Sequence, residues 1–410
     1  MRKIPLLAAI SVAASAGALG SVIPTAHAAT AHGPNVHSVH SCATASAGSA
    51  ACDAVHLVNA TGQNVSNTGR LQPAAAAHGK PVKPSAISGK TPTDIQSAYK
   101  LSGLKSGGRT VAIVDAYGYP NAERDLGVYR TQFGLSSCTK ANGCLTVMSQ
   151  TGSTTSLPRT NVGWTQEQAL DLDAVSAACP DCKIVLVQAK SASFADLGAA
   201  VNQAAKVSGV VAISNSYGGG DAPDSTYGSY YNHPGIAVTA STGDNGYQGA
   251  SFPASSHYVT AVGGTSLNTA SNSRGWSESA WSGSGSGCST SNVAPSGQSS
   301  SVTHCSGRAM ADVSAVADPN TGLAVYAPTS SNSSSWAQYG GTSLSSPLVA
   351  SVYALSGNTS GYANAKPYAN ASALFDVTTG SNGSNQYWSN AGTGWDGPTG
   401  LGTPNGTAAF

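Results

Sequence analysis

Thr110-Val111-Ala112-Ile113-Val114-Asp115 is a β-branched run that ends in an acid, the form of a strand buried on both faces of a parallel sheet. Outward from it, Lys183 to Gln188 is a second strand, and Val210 to Ser214, Ile236 to Ala240 and Val259 to Val262 are shorter ones, each followed by glycine or a turn. Between strands, Thr165 to Ala178 carries Ala169, Leu170, Leu172, Val175 and Ala178 at helical spacing and stops before Pro180. Ser193 to Val207 sets Phe194, Leu197, Ala200, Val201 and Ala204 on one helical face. Thr91-Pro92-Thr93-Asp94 suits a helix start for Ile95 to Leu101. Strands that alternate with helices predict an α/β fold with a mostly parallel central sheet flanked by helices, and active groups in such folds gather at the carboxyl ends of the strands.

The 410 residues, 40% hydrophobic and with 48 glycines, suffice for one large domain and additional segments. Only 9% are charged and the formal net charge is +1, which leaves no basic stripe for nucleic acid and no polybasic membrane anchor. Met1-Arg2-Lys3, the apolar stretch Ile4 to Ile23 and Ala26-His27-Ala28 read as a secretory signal peptide over 1–28. No other stretch is apolar and long enough to span a bilayer, so the expected product is soluble, extracellular and monomeric. Residues 29–90, rich in Ala, Ser, Gly, His and Pro, lack sustained periodicity and read as a short flexible pro-segment, with Val55-His56-Leu57-Val58 as one possible strand. His32, His37, His40, His56 and His78 lie there, in a solvated segment rather than a metal tract. Eight cysteines form four sequence-local pairs, Cys42/Cys52, Cys138/Cys144, Cys179/Cys182 and Cys288/Cys305, which in an exported chain means disulfides. For Cys179-Pro180-Asp181-Cys182 a redox or metal role is the alternative, though no second such motif and no neighbouring histidine complete a zinc set.

Chemistry concentrates at Gly340-Gly341-Thr342-Ser343-Leu344-Ser345-Ser346-Pro347, which runs into the apolar stretch Leu348 to Leu355. Two glycines permit a sharp, open approach, and the segment after them reads as a buried helix whose first turn tolerates Pro347. Ser343 at that helix start has free backbone N–H groups and the helix dipole beside it, which favour a developing negative charge. A nucleophile needs a base. His233, His257 and His304 have no context that marks one, and Asp115, at a strand end like a subtilisin aspartate, is followed by no H-G-T-x-V-A segment. Glu167 and Asp171 stand instead at i and i+4 of an otherwise apolar helix, with Asp173 close behind. Like charges so placed repel unless they share a proton, and sharing leaves one carboxyl as a base with the other to orient it. Asp244, in Thr242-Gly243-Asp244-Asn245-Gly246 after a strand, can point into a cleft and, protonated, donate to an oxyanion.

In this order, Thr91-Pro92-Thr93-Asp94 with Tyr99, Glu167 and Asp171 as E-x-x-x-D, Asp244 in G-D-x-G, Phe252 to Ser256, Val262 to Ser266, Asp312 to Ala315 and Ser343 in G-T-S-x-x-x-P closely resemble the sedolisin family of serine-carboxyl peptidases. The resemblance runs from about Lys90 to Phe410. It implies a subtilisin-like three-layer fold over 91–410, with Ser343 as nucleophile, Glu167 as base, Asp171 orienting Glu167 and Asp244 in the oxyanion hole. Phe375-Asp376-Val377-Thr378, Gly392-Thr393-Gly394-Trp395-Asp396 and Gly400-Leu401-Gly402-Thr403-Pro404 resemble the family's calcium loop. One structural Ca2+ is implied there, on the carboxylates of Asp376 and Asp396 and the carbonyls of Val377, Gly392 and Gly394. Asp173 stands where relatives often carry a longer Glu, and the pro-segment is shorter than is usual in the family.

The expected function is that of a secreted endopeptidase acting on polypeptides with an acid optimum. Two alternatives stand beside it: a conventional subtilisin using Asp115 and a histidine, and a non-catalytic secreted binding protein on a peptidase fold.

Overall fold

The computed structural model describes residues 1, 35–64, 87–358, 360–385 and 388–410. Apart from Met1, the expected signal peptide lies outside these residues, as do His32 and His78. In chain order, the N-terminal segment forms β1 (Val36–His40), β2 (Ala51–Cys52) and β3 (Val55–Asn59). Then follow α1 (Pro92–Ala98), β4 (Thr110–Ala116), α2 (Ala122–Gln132), β5 (Leu145–Ser149), α3 (Val162–Ala178), β6 (Lys183–Ala189), α4 (Phe194–Ala205), β7 (Val210–Asn215) and β8 (Tyr217–Gly220). After these come β9 (Ala237–Ser241), β10 (Ser251–Phe252), β11 (Thr260–Thr269), β12 (Trp276–Ala280), β13 (Gly287–Cys288), β14 (Ala309–Met310), β15 (Val313–Val316), β16 (Leu323–Pro328) and β17 (Ser334–Gly340). The helix that follows β17 is Thr342–Ser356.

The central sheet has the order β12-β11-β9-β7-β4-β6-β5, with β15 also paired to β11. Its pairings are parallel except that of β12. β4 shows why helices cover both faces: all seven residues are buried, yet alternate side chains enter different cores. Val111 and Ile113 join the core that holds α1, α3 and the Thr342–Ser356 helix, whereas Ala112, Val114 and Ala116 join the one that holds α4. A strand sandwiched in this way has no polar face, hence its continuous apolar sequence.

Side-chain caps fix the helix starts. Thr91 accepts from the Asp94 N–H and Asp94 accepts from the Thr91 N–H, so α1 begins at Pro92, three residues before the expected Ile95. Asn161 caps α3 through the Trp164 N–H, and Ser193 caps α4 through the Asp196 N–H. Such a cap is worth about 1 kcal/mol. The four cysteine pairs are disulfides as expected: Cys42–Cys52, Cys138–Cys144, Cys179–Cys182 and Cys288–Cys305.

The N-terminal segment departs from expectation. Over 35–64 it is not a structureless tract: β3 pairs with both β1 and β17, and Ala54, Val55, Leu57 and Val58 are buried. The strand expected at Val55 to Val58 is therefore the middle of a four-stranded sheet, β1-β3-β17-β16. Its five residues are too short a run to outweigh the polar composition around them, and the partner strand is far away in sequence.

Candidate active site

Three strands of the sheet deliver their carboxyl ends to one place. Asp115 is near the end of β4, Ser216 follows β7, and Asp244 follows β9, while Glu167 and Asp171 reach the same place from α3, one turn apart. Asp115, Glu167 and Asp171 bring carboxylate oxygens within 4.8 Å of one another, and all three residues are 0% exposed. Among the described residues, neither oxygen of Glu167 or Asp115 has a hydrogen-bond partner, nor has Asp171 Oδ2. Asp171 Oδ1 accepts from the Ser216 hydroxyl at 2.8 Å.

Burial, then the charge of Asp171 and of Asp115, hold the Glu167 carboxyl well above its usual value, and the Ser343 hydroxyl offsets part of that rise. Burial and then Asp115 do the same to Asp171, and burial raises Asp115. Three carboxyls so enclosed must share protons or hold a cation. A hard cation asks for six to eight oxygens, several usually from water, and full burial leaves little access for water; shared protons suit the enclosure better. Asp173 belongs elsewhere: its Oδ2 accepts from the Tyr326 N–H on β16 at 3.0 Å.

The second half of the site is the start of the Thr342–Ser356 helix. Gly341 supplies no side-chain cap, so the first N–H groups turn outward to the site. The Thr342 N–H and hydroxyl both donate to Asp244 Oδ1, at 2.7 and 2.8 Å, and among the described residues Asp244 Oδ2 has no partner. Burial, then the nearby Asp53, hold Asp244 well above the usual carboxylate range, so it keeps its proton and can donate from Oδ2. The Ser343 N–H points to the Asp53 carbonyl at 3.4 Å. Gly341 has φ +91°, and a Cβ there would lie 1.9 Å from the Asp53 carbonyl oxygen and 2.6 Å from Asp244 Oδ2. Only glycine lets that carbonyl stand between the serine and the Asp244 acid.

Ser343 Oγ donates to the Ser216 carbonyl at 3.2 Å, and the Ser216 hydroxyl reaches the Ser343 carbonyl at 3.2 Å. That carbonyl is free because Pro347, four residues on, has no N–H to offer it. Pro347 thus lies beyond the first turn, where it was expected, and Ser216 fills the gap it leaves.

Sequence reasoning named Ser343, Glu167, Asp171 and Asp244, and the fold brings all four together. It took Asp115 only as half of a histidine pair, whereas Asp115 joins the carboxyl cluster. His233 and His257 contact the carbonyls of Tyr230 and Ala294 instead. Ser216, Ser241 and Asp53 were missed, because nothing in their local sequence marks them; each gains its place from long-range packing.

The tail loop behaves as a separate candidate site. Asp376 Oδ2 accepts from the Gly394 N–H at 3.0 Å, and Asp396 Oδ2 from the Gly392 N–H at 3.1 Å. Burial above all, with Asp376 adding to it, raises Asp396 to about 7 despite hydrogen bonds from Thr399 and Gly392. Among the described residues, the carbonyls of Val377, Gly392 and Gly394 accept no backbone N–H. Two repelling carboxylates beside unused carbonyls fit a hard cation.

The family profile described as "Subtilase family" matches residues 147–394, more than half of the chain. Sedolisin of Pseudomonas sp. (strain 101) is 29% identical over 365 residues, which cover 77% of this chain and 60% of that protein. Kumamolisin of Bacillus sp. (strain MN-32) is 31% identical over 361 residues, covering 77% of this chain and 62% of that protein. The chain therefore spans less than two thirds of the length of these curated relatives. A solved structure described as Pseudomonas sedolisin (serine-carboxyl proteinase), complexed with two molecules of pseudo-iodotyrostatin, superposes with a TM-score of 0.65 at 27% identity, covering 78% of this chain and 96% of that one. With a mostly parallel three-layer fold and a serine that faces carboxyl groups, the chain belongs to the subtilase family, in its sedolisin branch.

Proposed function

We propose that the protein is an exported serine-carboxyl endopeptidase that hydrolyses polypeptides in acid. One observation carries this reading: a helix-start serine N–H and the Asp244 carboxyl, held by burial above the usual carboxylate range, flank one backbone carbonyl, while the serine hydroxyl faces a buried carboxyl cluster to which, among the described residues, no cationic side chain is hydrogen-bonded. In the reaction, the Ser343 proton turns from the Ser216 carbonyl to Glu167 as Oγ attacks the substrate carbonyl. Asp171, fixed by Ser216, holds Glu167 and takes part of its proton. Asp244 Oδ2–H and the Ser343 N–H donate to the oxyanion, and Glu167 then returns the proton to the departing amine. Water repeats the sequence on the acyl-enzyme. Every group named comes from one chain, so a monomer suffices.

Asp376 and Asp396, with the carbonyls of Val377, Gly392 and Gly394, would hold one calcium ion. When bound, that ion neutralises the two facing carboxylates and ties the tail loop. The four disulfides favour an oxidising compartment, and among the described residues no helix is long and apolar enough to cross a membrane. Cleavage of an unfolded protein at about pH 4 tests the activity. Ser343→Ala should lose about four to six orders of magnitude in rate, and equal cleavage by the two preparations sinks the assignment.

A further inference from the structure

The N-terminal hairpin occupies the site in the manner of a substrate. Ala51 and Cys52 of β2 pair antiparallel with Gly218 and Tyr217 of β8, the strand that leads away from Ser216. A Cβ on Gly219 would meet the Ser49 carbonyl at 2.5 Å, so the glycines of β8 form a floor on which this strand lies. Asp53 continues the register: its N–H points to the Ser216 carbonyl at 3.4 Å and its carbonyl to the Ser343 N–H at 3.4 Å, beside Asp244. Asp53 is 9% exposed as a residue, and its Oδ2 accepts from the Ser241 hydroxyl at 2.7 Å. The Asp53–Ala54 peptide bond is therefore presented to Ser343 with the carbonyl already between the two oxyanion donors.

Both sides of that bond are anchored to one hairpin. On the acyl side, the Cys42–Cys52 disulfide ties the residue before Asp53 to the chain just after β1. On the amine side, the Ala54 carbonyl accepts from the Ser41 N–H at 2.9 Å, and β3 is clamped between β1 and β17. We propose that Asp53–Ala54 is a self-cleavage site, and that the 36–59 hairpin, its 42–52 loop closed by the disulfide and its two sides joined by the β1–β3 pairing, acts as a built-in inhibitor that is cut and resealed rather than discharged.

The chemistry balances within the site. Ser343 Oγ bonds to the Asp53 carbonyl carbon, Glu167 passes the serine proton to the Ala54 nitrogen, and the C–N bond breaks to leave an Asp53 ester and an Ala54 amine. Because β3 stays in its sheet, that amine remains beside the ester. It can attack in reverse, restoring the peptide bond and returning the proton through Glu167 to Ser343. Water attacking the same ester gives the Asp53 carboxylic acid and free Ser343.

The Asp53 side chain also indicates the residue accepted on the acyl side of a cleaved bond. Burial pushes its carboxyl up to about 7 against the pull of Ser241, its charge in turn raises Asp244 and Glu167, and His40 lines the same cleft. A short, uncharged hydrogen-bonding side chain, protonated Asp or Asn, fits that environment, and a large apolar or cationic one does not.

This inference rests on the serine-carboxyl reading, and its test keeps the two apart. The full chain is held at about pH 4, then its masses are measured under denaturing and native conditions while cleavage of an added unfolded protein is followed. Expected are a new terminus at Ala54 dependent on Ser343, and a piece ending at Asp53 that stays with the remainder in native measurements. The Cys42→Ser/Cys52→Ser variant should shed that piece and cleave added protein at least tenfold faster. In quenched peptides that differ only in the acyl-side residue, Asp and Asn should exceed Lys and Leu in kcat/KM by tenfold or more, a readout that does not depend on the variant folding. Wild type that digests the added protein yet leaves Asp53–Ala54 intact, or prefers Lys or Leu, overturns this inference and spares the function. No digestion of the added protein and no cut overturn the function itself.

Discussion

A single buried carboxyl, Asp312, and the buried cluster of Asp115, Glu167 and Asp171 are 0% exposed alike, and they are solved in opposite ways. Asp312 accepts from both terminal nitrogens of Arg308, at 2.7 and 2.5 Å, and from the Tyr368 hydroxyl at 2.6 Å and the Ala261 N–H at 2.8 Å. Arg308 in turn places its remaining donors on the carbonyls of Ala254, Ala309 and Val259, so its five N–H groups are all used. Asp115, Glu167 and Asp171 have equal burial, but among the described residues no cationic side chain pairs with them and five of their six oxygens lack a hydrogen-bond partner. Burial is common to both groups. What separates scaffold from chemistry is the missing counter-charge, which forces the second group to hold protons that it can exchange.

Removing the exchange should have the larger consequence. Glu167→Gln keeps the shape and the neutral charge of a protonated Glu but cannot accept the serine proton. Its kcat/KM should fall by about three to four orders of magnitude while its thermal stability holds or rises, because one repelling acid has gone. Activity of Glu167→Gln within a factor of ten of wild type would take Glu167 out of the role of base. Breaking the paired group should do the reverse. Arg308→Met leaves Asp312 buried without its cation and should cost about 3–5 kcal/mol in unfolding free energy measured by denaturant, with the pH dependence of residual activity unchanged. A shifted pH profile in that variant would mean that the two groups are not independent.

The fold was legible wherever the sequence repeats itself at a helical or strand period. β4, β6, α3 and α4 appear within a few residues of their expected bounds, since each buries an unbroken apolar face. β17 was not anticipated, because Ser334-Ser335-Trp336-Ala337-Gln338-Tyr339 mixes polar and apolar residues that are buried only through pairing with β16 and β3. The same limit applies at the site. Ser343 and the Glu167/Asp171 spacing could be read locally, whereas Asp53 and Ser241 are 188 positions apart and meet only in the folded chain.

The tail loop offers a smaller contrast of the same kind, a repelling carboxylate pair whose missing charge a calcium ion would supply. Chelation with EGTA at pH 7 should lower the melting temperature by several degrees in wild type and little in Asp396→Asn. The effect should shrink toward pH 4: Asp396, raised to about 7, binds a proton as pH falls and the proton competes with the ion. An identical melting temperature with and without chelator at pH 7 removes the calcium proposal.

The most direct test of a carboxyl base in place of a histidine is the pH dependence of kcat/KM on a quenched peptide with no ionisable side chains. Asp244 must keep its proton to serve the oxyanion, so activity should be greatest in acid and fall as pH rises and Asp244 ionises. A profile that instead climbs through the ordinary histidine range, with its maximum above neutrality, would contradict the serine-carboxyl account.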